Sequence, residues 1–317
     1  MCASKYTVFQ VLLIEYPQHY VKMLIFGPEM KKVLISTLLI LFSWSSYSFC
    51  QDTAATATWF PKGNLYPTIR LDYRESQIYG SVYAMYASNQ WQNRVFGNFS
   101  VGLRSNIIRW HHAPKRASEL GFELSVFPQF IFNDPFGQLE TSLFDVEFKI
   151  GLHYQYRLDH WRFRGRLYHI SAHLGDDYLF RNGIDAFIDN PRIYEVVDFS
   201  VAWVASHWQI YATSGIIIHS AYERKPFLGQ TGVQFVYPIG KKNWLRWVSG
   251  VNVNIEQEQD FRPGIRISGG IGMGKKGRFP VTIMADYYNG YMPYSLYNNI
   301  LIQWIGATMW FSPFRTD

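Results

Sequence analysis

The sequence predicts an all-β protein: an antiparallel, up-and-down transmembrane β-barrel of about 12 strands, with ten to fourteen as the range. Three observations carry this. From Gln77 onward, segments of 11–15 residues alternate apolar and polar side chains with period 2. No stretch after residue 50 holds an apolar run of 18 residues, the least a spanning helix would need. Aromatic residues make up 18% of the chain, with 22 Tyr and 24 Phe, as girdles at two membrane interfaces require.

Ahead of the strands stands an export signal, residues 30–50. Met30-Lys31-Lys32 supplies a basic start, Val33 to Phe42 an apolar core, and Ser43 to Ser48 a small polar segment before cleavage. That core is too short for a spanning helix, which needs roughly 20 apolar residues. Residues 1–29 precede a complete signal and read as an extension from an early start codon. Cys2 falls in that extension and Cys50 beside the cleavage site, so no disulfide is expected inside the mature domain. Lipidation of Cys50 is disfavoured by the bulky Phe49 before it. Residues 51–76 form a linker or plug. Asp52 to Thr58 is small and polar, a flexible linker, whereas Trp59-Phe60-Pro61 and Leu65-Tyr66-Pro67 suit a plug or a rim contact.

The barrel then occupies 77–317, with strands expected at 77–88, 91–105, 120–133, 143–156, 161–173, 192–206, 208–219, 229–240, 243–256, 262–274, 279–289 and 299–312. Each is long enough for the 9–11 residues that a strand tilted by about 45° needs to cross hydrocarbon. The alternation is clearest late in the chain. Leu245, Trp247, Val251, Val253 and Ile255 oppose Arg246, Asn252 and Asn254, while Phe279, Val281, Ile283 and Ala285 oppose Thr282 and Asp286. Connections alternate too. Leu158-Asp159-His160, Ser206-His207, Lys241-Lys242 and 275–278 are tight, whereas 174–191, 220–228, 257–261 and 290–298 are longer. The link at 89–90 departs from this scheme, being tight where a long loop is due. A soluble sandwich or lipocalin-type barrel is the competing architecture, but soluble strands usually run about 5–6 residues.

The formal charge of +6 and pI of about 9.1 come from dispersed basic residues on an exported chain. They suit a phosphate-rich lipid surface and exclude nucleic acid as a partner. No Walker, GxGxxG, CxxC or HExxH pattern occurs, and no cofactor is expected.

The segment Arg166-Leu167-Tyr168-His169-Ile170-Ser171-Ala172-His173-Leu174-Gly175-Asp176-Asp177 resembles the signature of an exported bacterial family, number 1207 in the series of domains of unknown function. The family form is His-x-Ser-Ser-His-Leu-Gly-Asp-Glu; Ala172 and Asp177 depart from it. Trp59 to Pro67 resembles that family's opening motif. The resemblance implies export and a β-rich fold, with no activity attached. A second likeness is to barrels of the lipid A 3-O-deacylase type, in which a His-x-Ser pair on one strand works with an acid. His169 and Ser171 match that spacing, but the residues after them do not.

Period 2 assigns faces within 161–173. If Arg162, Arg164 and Arg166 face the lumen, then Trp161, Phe163, Leu167, His169, Ser171 and His173 face outward. At about 3.3 Å per residue and this tilt, His169 stands roughly 18–20 Å above the turn at 158–160, near one headgroup layer. The expected chemistry is attack by Ser171 on an ester carbonyl with His169 as general base. Glu195, outward on the next strand beside Val197, is the first choice of orienting acid, and Asp176 or Asp177 the second. An oxyanion donor is sought near the Gly175 backbone. A metal held by His169, His173, Asp176 and Asp177 is disfavoured, because residues four apart on a strand are separated by about 13 Å. His111-His112 reads as a solvated loop and Asn133 to Gly137 as a turn. Arg162, Arg164, Arg166, Arg246 and Arg266 either pack against Asp198 and Asp286 or line a narrow anion pore, and packing is preferred. The functional expectation is an integral protein of the cell outer membrane, acting as an acyl-ester hydrolase on outer-membrane lipid or lipopolysaccharide. A non-catalytic barrel and the pore are the alternatives, and the oligomeric state is open.

Overall fold

The computed structural model describes residues 56–132, 141–181, 183, 192–240, 244–274, 281–293 and 297–312. The expected extension, signal peptide, both cysteines, most of the polar linker and the 133–137 turn lie outside the described residues.

A short strand β1 (Thr56–Trp59) precedes twelve long ones. These are β2 (Ile78–Ala87), β3 (Gln90–Ala113), β4 (Arg116–Phe132), β5 (Ser142–Leu158), β6 (Trp161–Leu174) and β7 (Arg192–Ala205). The second half comprises β8 (Trp208–Ser220), β9 (Phe227–Ile239), β10 (Leu245–Glu256), β11 (Gly264–Met273), β12 (Val281–Tyr291) and β13 (Leu301–Phe311). Each pairs antiparallel with its sequence neighbour, and β13 returns to β2, with Trp304 opposite Met85. The twelve long strands therefore close on themselves, each paired on both sides, as a lipid environment requires. The shortest barrel strands have 10 residues. At a 45° tilt that spans about 23 Å, close to the ~25 Å apolar band of membrane barrels.

All twelve expected segments are strands, and most bounds agree within two residues. The largest departure is at β3 and β4. Residues 106–119, expected as a loop around His111-His112, continue both strands to a two-residue turn at Pro114-Lys115. Bulges between Asn106 and Ile108 and between His111 and Ala113 break the alternation there, which hides the strand from a period-2 reading. The linker also ends earlier than expected, since Thr56–Trp59 pairs with Ile108–His111 of β3. The tight first link is real: Ser88 and Asn89 carry φ of 51° and 62°, the left-handed pair a two-residue hairpin requires.

Polarity is inverted relative to a soluble barrel. Val101, Ile150, Leu152, Phe199 and Ile305 are each more than half exposed on the outside. Inside, Glu75, Glu119, Glu123, Asp145 and Arg164 are essentially inaccessible. An apolar outside with charges inside is stable only in hydrocarbon. Trp161, Trp208, Tyr237 and Trp244 stand exposed at the short-turn end and Trp91 at the other, marking two girdles. Phe199→Arg, in the middle of β7, is accordingly expected to destabilise the barrel by ~2–4 kcal/mol, measured by urea unfolding in lipid vesicles. A cost indistinguishable from zero would argue that Phe199 does not face hydrocarbon.

Much of the lumen is occupied by protein. The segment between β1 and β2 enters it: Tyr66, Ile69 and Leu71 are fully buried. The Leu65 and Tyr66 amides donate to Glu119 and Gln155, and the Arg70 amide donates to Gln234. Arg164 pairs with Glu75 (2.7 Å), Arg166 with Asp198 (2.6 Å) and Arg266 with Asp286 (2.8 Å). Arg162 and Arg246 instead donate to the backbone carbonyls of Asp159 and Gly274. Toward the long-loop end, Tyr83, Trp304 and Tyr288 stack above this polar layer, with ring centroids 4.9 and 4.1 Å apart in sequence. Arg164, Arg166 and Arg266 are thus each paired with a buried carboxylate.

Candidate active site

Strand β6 alternates along its length. Arg164, Arg166, Tyr168, Ile170 and Ala172 are buried in the lumen, and Trp161, Phe163, Leu167, His169, Ser171 and His173 lie on the outer face. The inward set fixes the phase, because the Arg166–Asp198 pair can form only inside. That phase puts the imidazole of His169 and the hydroxyl of Ser171 outward, two residues apart, with Cα atoms about 7 Å from each other.

Strand β7 sets the acid. His169 is directly opposite Glu195 in the register, and Ser171 is opposite Ile193. His169 Nδ1 lies 2.8 Å from Glu195 Oε1. A carboxylate only accepts, so Nδ1 carries the proton and Nε2 is left as the basic nitrogen. A serine-activating histidine holds its acid on one ring nitrogen in this way, although among the described residues no hydrogen bond joins His169 to Ser171 Oγ.

A third strand contributes a residue that period 2 had hidden. Glu195 is paired with His219 of β8, whose Nδ1 lies 2.5 Å from Glu195 Oε2. The two imidazoles thus bind separate oxygens of one carboxylate. A bulge between Glu195 and Val196 makes this possible, because the register steps from His219 to Ile217 across adjacent β7 residues. Without the extra residue, His219 would share the lumenal face of Gln209, Tyr211 and Ile217. The run Ile216-Ile217-Ile218, three apolar residues where alternation demands a polar one, is the sequence trace of the bulge. The side chains of His169, Glu195 and His219 are 36%, 20% and 30% exposed, so the group is open to the surroundings of the barrel.

The other candidates sit elsewhere. Asp176 and Asp177 begin a six-residue helix, Asp176–Arg181, and Asp177 accepts from the Leu143 amide at 3.4 Å rather than approaching His169. The Gly175 amide is committed to the Phe144 carbonyl at 3.1 Å, which removes it as an oxyanion donor. A Cβ at Gly175 would collide with the Leu143 carbonyl, so glycine is required there by packing alone. His173 stacks on Phe148 at 5.7 Å and donates from Nδ1 to the Leu174 carbonyl.

Fold and surface together define a closed twelve-stranded barrel of the outer-membrane type. The chain belongs to the family described as "Protein of unknown function (DUF1207)", whose model matches residues 46–312. Among curated proteins no match is found. Solved structures share the barrel. The outer membrane phospholipase of Salmonella typhi, a dimer with bound calcium, superposes with a TM-score of 0.51 at 12% identity, covering 78% of this chain and 92% of that one. Outer membrane phospholipase A of Escherichia coli gives 0.51 at 12% identity, covering 78% and 91%. At this identity the likeness is one of fold.

Proposed function

We propose that the protein is an integral outer-membrane acyl-ester hydrolase whose substrate is the lipid around it, whether glycerophospholipid or lipopolysaccharide. One observation carries the reading: the His169–Glu195 hydrogen bond on the apolar outer face, with Ser171 two residues along that face. An inert barrel gains nothing from three ionisable side chains among lipid-facing residues, since polar groups there lose water without a structural return. A hydrolase whose substrate lies in the bilayer needs them there. The apolar belt, together with the export signal expected at residues 30–50, supports the outer membrane as location.

In the proposed reaction, His169 Nε2 takes the Ser171 proton as Oγ bonds to the ester carbonyl carbon. The tetrahedral adduct collapses, and the same proton passes to the departing alcohol oxygen. Water then attacks the acyl-serine with His169 again as base, which releases the fatty acid and restores Ser171. In this reading Glu195 orients the ring through Nδ1, which leaves Nε2 for the hydroxyl, and stabilises the imidazolium between the two half-reactions.

The purified barrel, reconstituted in phosphatidylethanolamine vesicles or mixed with lipopolysaccharide, is expected to release free fatty acid, and the more active arm identifies the lipid. Glu195→Gln keeps the shape but removes the charge, and should lower the rate by about 10²–10⁴. Equal release by the wild type and by empty vesicles in both arms would leave the non-catalytic barrel as the reading.

A further inference from the structure

We propose that His219 is a positioning residue of this site, acting on the chemistry through Glu195; the inference rests on the hydrolase reading. Three features point to it. First, the two carboxylate oxygens are divided between two strands, with Oε1 on His169 of β6 and Oε2 on His219 of β8. A glutamate on a lipid-facing surface would otherwise be free to swing among rotamers, and each would carry the acid away from His169. Anchored at both oxygens by neighbouring strands, it has one orientation.

Second, the ladder is broken to bring His219 there. A bulge disrupts strand pairing locally and re-aims the side chains beyond it. Here the change of phase lies beside Glu195 and turns His219 from lumen to outer face, while Ile217 remains packed with the inward cluster of Tyr168, Ile170, Tyr194 and Val196. The inner packing is preserved and only the outer face is altered.

Third, His219 is too distant to serve as the base itself. It stands two strands from Ser171, and strands lie about 4.8 Å apart, so the lateral offset alone is roughly 10 Å. Its influence on the serine must pass through the carboxylate. A second N–H donor also replaces the water that Glu195 forgoes beside lipid, where an unsatisfied carboxylate oxygen is costly.

The experiment uses the mature barrel in phosphatidylethanolamine–phosphatidylglycerol vesicles and follows fatty-acid release for wild type, Ser171→Ala, His219→Ala and His219→Asn. His219→Ala should lower kcat by about 10²-fold with KM nearly unchanged, because about an ångström of misplacement costs that much. His219→Asn offers an N–H near the position of the lost Nδ1 and should restore most of kcat. Asparagine variants as slow as alanine, or alanine variants as fast as wild type, would overturn the positioning role. A wild type no faster than Ser171→Ala would overturn the hydrolase reading instead, and the role of His219 with it.

Discussion

Ser171→Ala is expected to abolish lipid deacylation, with a loss of about 10³–10⁶ in kcat, while the barrel remains as stable as the wild type. The two halves of this expectation rest on different observations. The catalytic half follows from the role of Oγ as the atom that bonds to the acyl carbon; no other hydroxyl shares the His169 strand and face. The structural half follows from the pairing of Ser171 with Phe148 and Ile193, which is through the backbone and unaffected by losing the side-chain oxygen. His169→Ala should match Ser171→Ala, and the double variant should be no slower than either, because nucleophile and base act as a unit. Fatty-acid release from vesicles reads the first half. Thermal loss of β circular dichroism reads the second. A Ser171→Ala barrel that folds normally and deacylates at the wild-type rate would end the assignment of Ser171.

Both the barrel and the faces of β6 and β7 were legible in the sequence for the same reason. Hydrocarbon outside and a packed polar lumen inside impose opposite demands on successive residues, so the period-2 pattern is strong in chains of this kind. The pattern fails where the ladder is irregular. It stops short on β3 because two bulges interrupt the 106–113 stretch, and strict alternation would turn His219 into the lumen, because one bulge reverses the phase of β8. It also carries no information on depth within the lumen. A network of the lumenal arginines with Asp198 and Asp286 was expected because all of them lie on strands, and within it Arg166 pairs with Asp198 and Arg266 with Asp286. Arg164 was expected among them too, but its partner comes from the plug segment, where no alternation exists to read. Here the sequence was more informative, since a shared outer face ranked Glu195 ahead of Asp176 and Asp177 as the acid. Direct cross-strand register brings Glu195 to His169, and the helix start carries the two aspartates away.

That plug partner, Glu75, supports the second large effect. Its Oε1 accepts from Arg104 and Arg164, each at 2.7 Å, and its Oε2 faces Arg166 at 3.4 Å. Burial alone would raise this carboxyl, but Arg164, Arg104 and Arg166 outweigh it and hold the group at about 2, against an ordinary 4.5. A carboxyl depressed on folding stabilises the docked state above its unfolded value, and that contribution is lost as pH falls through the folded one. The window therefore runs from about pH 4.5 down to about pH 2, and the share of Glu75 is roughly 3 kcal/mol. Glu75→Ala leaves Arg104 and Arg164 facing one another across a buried site with their shared acceptor gone. Removing one member of a buried ion group costs ~3–5 kcal/mol, since the stranded charges keep their desolvation and lose their attraction. The plug at 61–77 should consequently exchange its amide hydrogens faster in the variant at pH 7, with the outer belt protected as before. In the wild type the same loosening should appear only on acidification toward pH 2. Plug amides that exchange equally slowly in both proteins at pH 7 would mean that apolar packing of Tyr66, Ile69 and Leu71 suffices to hold the segment, and that the ion cluster contributes little to its docking.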